Sequence, residues 1–185
     1  MKTIILASGS PRRKEILKNH NIPFQVEVSD VDESCGEMSP KELVKELSLR
    51  KAKAVSKHHP FDIVLGADTV VAFHDQILGK PCDDENAYDM IHMLQGNRHQ
   101  VYTGVTICAG EKITTFYEMT EVEVSPMTQD EITSYIATGE GRDKAGSYAI
   151  QGEFGAYITA FHGDYENVVG LPGKRVLEVL QKEFL

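Results

Sequence analysis

Residues 4–13 read Ile4-Ile5-Leu6-Ala7-Ser8-Gly9-Ser10-Pro11-Arg12-Arg13, and the rest of the chain is organised around this stretch. Its apolar start predicts a short buried strand. Ser10 is a good helix N-cap. Pro11 suits the first helical position, because an N–H group there would have no partner within the helix. The stretch therefore predicts a strand, a loop of small residues and a helix beginning at Pro11.

The loop and the helix start have the properties of a phosphate site. Small residues such as Ser8 let backbone N–H groups approach a ligand, and the start of a helix carries partial positive charge. The guanidinium groups of Arg12 and Arg13 can bind phosphate oxygens in a bidentate manner. The alternative is an ordinary strand-to-helix turn with two solvated arginines.

The composition limits the classes of partner. The net charge of the 185 residues is −9, which argues against nucleic acid or an anionic membrane as the main partner. No apolar run approaches the roughly 20 residues of a membrane span. The apolar start of the chain is too short for a signal peptide. Cys35, Cys82 and Cys108 show no metal-ligand spacing, so we expect a reducing, cytoplasmic compartment.

Helix and strand patterns follow one another along the chain. Ser39-Pro40-Lys41-Glu42 and Thr128-Gln129-Asp130-Glu131 are capping boxes that predict helix starts. Alternation over residues 99–108 and 113–124 predicts an antiparallel hairpin. The polar segments 141–155 and 163–167 are expected to be loops, the first a binding loop. The order predicts one α/β unit with a curved mixed sheet and a cleft.

Lys51 and Asp68 are charged residues at apolar positions. In the helix after Pro40, Lys51 lies about 40° from Leu47, within the apolar stripe. It could be a snorkelling side chain or an ammonium group that faces a ligand cleft. Asp68 lies in an apolar strand region, residues 61–73, which we expect to be interrupted at residues 66–69. It is either a turn aspartate or a carboxylate that meets a metal, a base or backbone donors.

These charged residues together suggest phosphate chemistry. Several cations with two or three carboxylates are what metal-assisted phosphoryl or nucleotidyl transfer requires. No Ser-His-Asp pattern, nucleophile elbow or cysteine nucleophile stands out in the sequence. The hairpin after the strand that carries Asp68 is expected to present a further lysine, Lys80. The candidate residues are Arg12, Arg13, Lys51, Lys80, Glu33 and Asp68.

Six segments, in order, resemble the motifs of the Maf family of nucleoside triphosphate pyrophosphatases. They are residues 6–13 (LASGSPRR), 65–70 (LGADTV), 79–81 (GKP), 99–105 (HQVYTGV), 143–152 (DKAGSYAIQG) and 163–172 (GDYENVVGLP). The resemblance covers nearly the whole chain, so we expect residues 1–185 to form a single Maf-like domain. It implies a fold like that of the inosine triphosphate pyrophosphatases: an elongated mixed sheet in two lobes, with the substrate in a central cleft.

The resemblance implies hydrolysis of a nucleoside triphosphate to the monophosphate and pyrophosphate with a divalent cation, Mg²⁺ or Mn²⁺. Asp68 matches the general base that activates water for attack on the α-phosphorus, and it is also expected to contact the metal. Glu33 is assigned to the metal, with Asp30 and Asp32 of the same acidic loop as other candidates. The positions that match phosphate contacts are Ser8, Arg12, Arg13, Lys51 and Lys80.

Arg12, Thr69 and Gln151 match the positions that separate the branches of the family. This combination resembles the dTTP and UTP pyrophosphatase branch, so modified pyrimidine nucleotides are also candidate substrates. The alternative is the 7-methyl-GTP branch. One departure is Glu140-Gly141-Arg142, which stands where the family pattern has a proline-bearing approach to the Asp-Lys-Ala-Gly motif.

Two further functions stay open at this point. The glycine-containing opening loosely resembles that of nucleotidyltransferases that join a nucleotide to a sugar phosphate, although those openings carry more glycines. The family is also linked to inhibition of septum formation, so a septum-regulating nucleotide-binding role is a second alternative. The resemblance suggests a homodimer.

Overall fold

The strands form one mixed sheet in a computed structural model that describes residues 2–185. The path of paired strands is β2-β1-β3-β5-β6-β7, and β4 pairs with β3 beside this path. Seven strands make up the sheet: β1 (Ile4–Leu6), β2 (Gln25–Val26), β3 (Ile63–Phe73), β4 (Gln76–Leu78), β5 (Arg98–Ala109), β6 (Lys112–Val124) and β7 (Ile158–His162).

Strand directions confirm the predicted mixed α/β class. Strand β1 is parallel to both β2 and β3, whereas the pairs β3–β4 and β6–β7 are antiparallel. The parallel pairs need crossover connections, and these contain helices, as expected for α/β units. The described residues 2–185 contain six α-helices: α1 (Pro11–Asn19), α2 (Pro40–Ser56), α3 (Asp84–Leu94), α4 (Gln129–Ala137), α5 (Tyr165–Val169) and α6 (Gly173–Val179).

The helix starts follow the predicted caps. The Ser10 side chain accepts a hydrogen bond from the backbone N–H of Arg13, and Pro11 is the first residue of α1. Complete capping boxes at Ser39 and Thr128 begin α2 and α4. These side chains satisfy N–H groups that a helix leaves without partners, which is why the sequence located these boundaries.

The chain divides into two compact units by its contacts. Unit 1 comprises residues 2–69, 103–118 and 170–185, and unit 2 comprises residues 70–102 and 119–169. The core of unit 2 contains the fully buried residues Ile91, Leu94, Val122 and Phe154. No helix within residues 2–185 is both long enough and apolar enough to cross a membrane. The prediction of a single domain over residues 1–185 stays a prediction.

Strand β3 is continuous, so the predicted interruption at residues 66–69 was wrong. Asp68 therefore lies on a strand and is not a turn aspartate. The reason is the close packing of β3 on α2 at Gly66. A Cβ atom at this position would lie 2.5 Å from the carbonyl oxygen of Ser48 and 2.7 Å from the backbone nitrogen of Ala52. Glycine here permits close approach of the helix and does not signal a turn.

Replacing Gly66 with alanine should therefore destabilise the protein by about 1–3 kcal/mol, because the new methyl group would push α2 away from β3. The measurement is the free energy of unfolding from urea titration. Gly36→Ala is the matched control, since a Cβ at Gly36 has nothing within 4 Å. Equal stability of the two variants would contradict the packing argument.

Other boundaries differ from the predictions where polar segments fold. Residues 163–167 were expected to be a loop, but the short helix α5 begins at Tyr165. The expected loop 141–155 contains the 3-10 helix Ala145–Ser147 and the start of a second, Glu153–Tyr157. These turns are stabilised by contacts with residues distant in sequence, which local patterns do not report.

Candidate active site

Asp68 and Glu33 share one lysine in unit 1. Lys51 extends from α2, and its Nζ lies 2.7 Å from Oδ1 of Asp68 and 2.8 Å from Oε1 of Glu33. The side chains of Lys51 and Asp68 are 13% and 12% exposed, whereas that of Glu33 is 59% exposed. The inward lysine on α2 thus pairs with the strand carboxylate, so it is not a snorkelling side chain.

Burial raises the pKa of Asp68 above its ordinary value, and the Lys51 and Arg13 charges oppose this shift without cancelling it. A buried carboxylate is poorly solvated, so its charged form is disfavoured. The raised pKa moves this carboxylate towards the pH range in which a base works efficiently in catalysis. Asp68 therefore combines limited solvent access with basicity greater than that of an exposed aspartate.

Arg13 is held by three hydrogen bonds within unit 1. Its Nε donates to the carbonyl oxygen of Gly170 at 2.8 Å, Nη1 donates to Oγ of Ser8 at 3.2 Å, and Nη2 donates to Oγ1 of Thr69 at 3.1 Å. Desolvation lowers the pKa of Arg13, and the Asp68 carboxylate opposes this shift. A guanidinium group has five N–H donors, so two are left for a ligand.

The loop before α1 holds its serine in a defined orientation. The Ser8 hydroxyl oxygen accepts from the backbone N–H of Ser10 at 3.2 Å as well as from Arg13. A hydroxyl oxygen has two lone pairs and one proton, so this oxygen is left to donate its O–H. Ser8 thus presents a donor, as a contact with a phosphate oxygen requires.

Arg12 has a buried nitrogen that the protein does not satisfy. Its Nε is inaccessible to solvent and has no hydrogen-bond partner within residues 2–185. Buried polar atoms without partners are rare in folded proteins, and each calls for an explanation such as a missing ligand.

The acidic loop is held against α2 by a residue that the sequence reasoning missed. Nη1 of Arg50 donates to the carbonyl oxygens of Asp32 and Ser34, at 3.0 Å and 2.8 Å. These two residues flank Glu33, whose carboxylate reaches Lys51. In the sequence, the position of Arg50 directly before Lys51 on the helix could have pointed to this residue. The sequence could not show which groups Arg50 contacts.

The acidic loop offered Asp30 and Asp32 as alternatives to Glu33. Both are exposed, and Oδ1 of Asp32 accepts from the backbone N–H of Ser34 at 2.8 Å. Glu33 is the member of the three that the structure pairs with Lys51 beside Asp68. The geometry therefore favours Glu33.

Thr103 is a second residue to which the sequence reasoning gave no role. Its buried hydroxyl lies 2.9 Å from Oγ1 of Thr69, the atom that accepts the hydrogen bond from Arg13. Thr103 thus connects the sequence segment 99–105 to the strand that carries Asp68 and Thr69. The position of Thr103 in the segment 99–105 could have pointed to this residue, but it could not identify Thr69 as the partner.

Lys80 and Gln151 belong to unit 2, and both are exposed. Lys80 follows β4, and the preceding residue, Gly79, accepts a hydrogen bond at 3.1 Å from the backbone N–H of Gly146. That bond connects the segment 79–81 to the segment 143–152, which carries Gln151. The remaining predicted residues, Ser8, Arg12, Arg13, Glu33, Lys51, Asp68 and Thr69, belong to unit 1.

The carboxylate oxygens of Asp68 and Glu33 are of the type that Mg²⁺ and Mn²⁺ prefer. No cluster of three or more His, Cys, Asp or Glu side chains suited to a metal occurs in the part of the chain that the structure describes. Mg²⁺ is usually held by one or two carboxylates together with substrate phosphates and water. Asp68 and Glu33 supply such a pair of oxygen donors, and Lys51 occupies the position between them.

Comparison with known proteins supports the family resemblance. The family model described as Maf-like protein matches residues 3–183. A dTTP/UTP pyrophosphatase of Bacillus cytotoxicus is 51% identical over 183 residues, covering 98% of this chain and 96% of the relative. One of Bacillus mycoides is 48% identical with the same coverage.

Among solved structures, this chain is similar to the Staphylococcus aureus Ham1 protein, with a TM-score of 0.46 and 19% identity, over 66% of this chain and 72% of that chain. The sequence comparisons are much stronger, since they extend over nearly the full length of both partners. From the family match and the identities near one half, we conclude that this chain belongs to the Maf family.

Proposed function

We propose that this protein hydrolyses dTTP and UTP to the nucleoside monophosphate and pyrophosphate. The observation that carries the proposal is the buried Asp68 carboxylate, which is paired with Lys51 on the strand that also bears Thr69. The family supports the reaction class, and the names of the relatives support the two pyrimidine substrates. Modified pyrimidine triphosphates are candidate substrates on the same grounds.

Asp68 is proposed as the general base. Its carboxylate would take a proton from a water molecule as that water attacks the α-phosphorus, and the bond from this phosphorus to the oxygen bridging to the β-phosphate would break. Pyrophosphate then leaves, and the nucleoside monophosphate keeps the new oxygen. A raised pKa suits this role, because a stronger base accepts a proton more readily.

The basic and hydroxyl groups are proposed to bind the triphosphate. Arg13 has two N–H donors beyond those in its protein contacts, Ser8 presents its O–H, and the Arg12 guanidinium group would add further N–H donors. Lys51 would add positive charge beside Asp68, and Lys80 stays a predicted phosphate contact. Pre-positioned donors of this kind stabilise charge that develops in phosphoryl-transfer transition states.

A divalent cation, Mg²⁺ or Mn²⁺, is proposed to be held by Asp68 and Glu33 together with substrate phosphates. When bound, such an ion would neutralise phosphate charge and lower the pKa of a water ligand. We expect EDTA to abolish pyrophosphate release and added Mg²⁺ or Mn²⁺ to restore it. Full activity in EDTA after extensive dialysis would contradict the proposed requirement.

The function is tested with dTTP, UTP, GTP and 7-methyl-GTP in the presence of Mg²⁺ or Mn²⁺, with the products separated by anion-exchange chromatography. We expect monophosphate and pyrophosphate from the pyrimidine nucleotides. The absence of pyrophosphate above the level of an Asp68→Asn variant would refute the proposal. Preference for 7-methyl-GTP would assign the chain to the other branch, and formation of a nucleotide sugar from an added sugar phosphate would indicate nucleotidyl transfer.

The two adjacent arginines are expected to differ in their effects. Arg12 matches a branch-specific position, so Arg12→Ala should change the ratio of kcat/KM between pyrimidine and purine nucleotides. Arg13→Lys should lower kcat/KM for all triphosphates by about 10²–10³-fold, because lysine cannot reproduce the three fixed hydrogen bonds of the guanidinium group. It should also lower Tm. Equal effects of both variants on selectivity would contradict this division.

A further inference from the structure

The backbone directly after Gln151 is held by a carboxylate from elsewhere in unit 2. The Glu140 carboxylate accepts two hydrogen bonds: Oε1 from the N–H of Glu153 at 2.8 Å and Oε2 from the N–H of Phe154 at 3.4 Å. These are the first two residues of the 3-10 helix Glu153–Tyr157. Glu140 thus caps a helix that begins 13 residues later in the chain.

This cap is needed because the local sequence cannot provide one. The first N–H groups of a helix have no partners within the helix, and a side chain at the N-cap position usually supplies an acceptor. The N-cap residue here is Gly152, which has no side chain and makes no such bond. Glu140 supplies the missing acceptors with both oxygens.

Gly152 and Glu140 fit one another closely. A Cβ atom at residue 152 would lie 1.8 Å from Oε1 of Glu140, so only glycine leaves room for the carboxylate. Glu140 is itself fixed, since its carbonyl oxygen accepts from Nζ of Lys144 at 3.1 Å and its N–H donates to Oγ1 of Thr138 at 3.2 Å.

The chain on both sides of Gln151 is therefore constrained. On one side, the N–H of Gly152 donates to the carbonyl oxygen of Ala149 at 3.3 Å, which closes a turn around Gln151. On the other side, Phe154 is completely buried, and its ring lies 4.7 Å from that of Tyr148. Between these anchors, the side chain of Gln151 is exposed on a backbone whose course depends on Glu140.

We propose that Glu140 is a positioning residue for substrate selectivity, acting through the backbone that carries Gln151. This inference rests on the proposed function, and it takes Gln151 as a residue that helps to distinguish the base, as its match to a branch-specific position of the family predicts. A group that discriminates by hydrogen bonding must be placed accurately, because selectivity comes from polar groups left unpaired by the wrong substrate. Glu140 fixes that placement without touching the substrate.

The test compares Glu140→Gln, Glu140→Ala and Gln151→Ala with the unchanged protein, using kcat and KM for UTP and GTP. We expect Glu140→Ala to raise the KM for UTP and to lower the UTP-to-GTP ratio of kcat/KM by about 10–10²-fold, as small displacements of positioning groups do. The kcat for UTP should change much less. Glu140→Gln, which keeps one oxygen acceptor, should lie between Glu140→Ala and the unchanged protein.

Glu153→Ala is the matched control, because it removes an exposed carboxylate from the same turn. A lower Tm with unchanged KM and selectivity in the Glu140 variants would assign Glu140 a purely structural role and overturn the inference. Unchanged selectivity in Gln151→Ala would overturn it as well. If Glu140→Ala does not fold, KM and selectivity are compared between Glu140→Gln and the unchanged protein. Failure of the unchanged protein to hydrolyse UTP and dTTP would refute the proposed function, which the other outcomes leave standing.

Discussion

Replacing Asp68 with asparagine should lower kcat for dTTP and UTP by about 10²–10⁴-fold, the usual contribution of a general base. Asparagine has nearly the same shape but cannot accept a proton from water. Lys51 keeps its contact with Glu33 in this variant, which helps to preserve the local structure. The measurement is steady-state release of pyrophosphate, together with Tm to verify folding.

The control for Asp68→Asn is Asp75→Asn. Asp75 is exposed in the turn between β3 and β4, with a φ of 62° that asparagine tolerates. This change should leave both kcat and Tm close to those of the unchanged protein. Retention of more than about a tenth of the activity by Asp68→Asn would exclude Asp68 as the base, since general bases contribute at least about 10²-fold.

The pH profile gives an independent check on Asp68. Only the deprotonated carboxylate can act as a base, so activity should fall as the pH decreases through the pKa of Asp68. Because burial raises this pKa, the acid limb should lie above the ordinary aspartate value of about 3.9. The residual activity of Asp68→Asn should lack this limb.

After Asp68→Asn, the substitution Lys51→Met should have the largest effect on activity and on its pH dependence. The Lys51 ammonium group lies within hydrogen-bonding distance of both Asp68 and Glu33, and it lowers the pKa of Asp68. Without it, two carboxylates would face each other with no cation between them. We expect the pKa of Asp68 to rise further above its ordinary value, because the cation that favours its charged form is gone.

The direction of the pH effect follows from that shift. A higher pKa moves the acid limb of kcat/KM to higher pH, so Lys51→Met should lose more activity at pH 6 than at pH 9. The free energy of unfolding should depend on pH in the opposite direction, with the larger loss at high pH. An acid whose folded-state pKa is raised contributes stability below its unfolded pKa, and this contribution is lost as the pH rises through the folded-state value. The variant should therefore be least stable relative to the unchanged protein at high pH.

Lys53→Met is the matched control, because Lys53 is exposed on the same helix two residues later. It should change neither the pH profile nor the stability by a measurable amount. A Lys51→Met variant with an unshifted acid limb would show that Lys51 does not govern the ionisation of Asp68. Breaking a buried ion pair typically costs about 3–5 kcal/mol, so the unfolding measurement should also detect the loss.

The helix starts and the sheet class were predictable because their causes are local. Ser10, Ser39 and Thr128 cap helices with their own side chains, and alternating apolar residues generate the β5–β6 hairpin. Strand β2 covers only the two residues Gln25–Val26. Its length depends on pairing with β1, and a local pattern does not define where pairing stops.

The candidate site was predictable only in part. Helical periodicity placed Lys51 among apolar residues, and the cost of burying a charge marked Asp68 as unusual. Their contact joins a helix to a strand across 17 positions of sequence. The roles of Arg50 and Thr103 were not predictable, because their partners come from segments that only folding brings near.

The sequence by itself determined the elements, the charged residue types and, through its motifs, the family. These depend on side-chain chemistry and on spacing along the chain, which are fully present in the sequence. The tertiary structure decided which charges meet: Arg13 with Thr69, Lys51 with both Asp68 and Glu33, and Glu140 with the turn after Gln151. Such contacts depend on distances between segments, and these are fixed only when burial of the core brings the segments together.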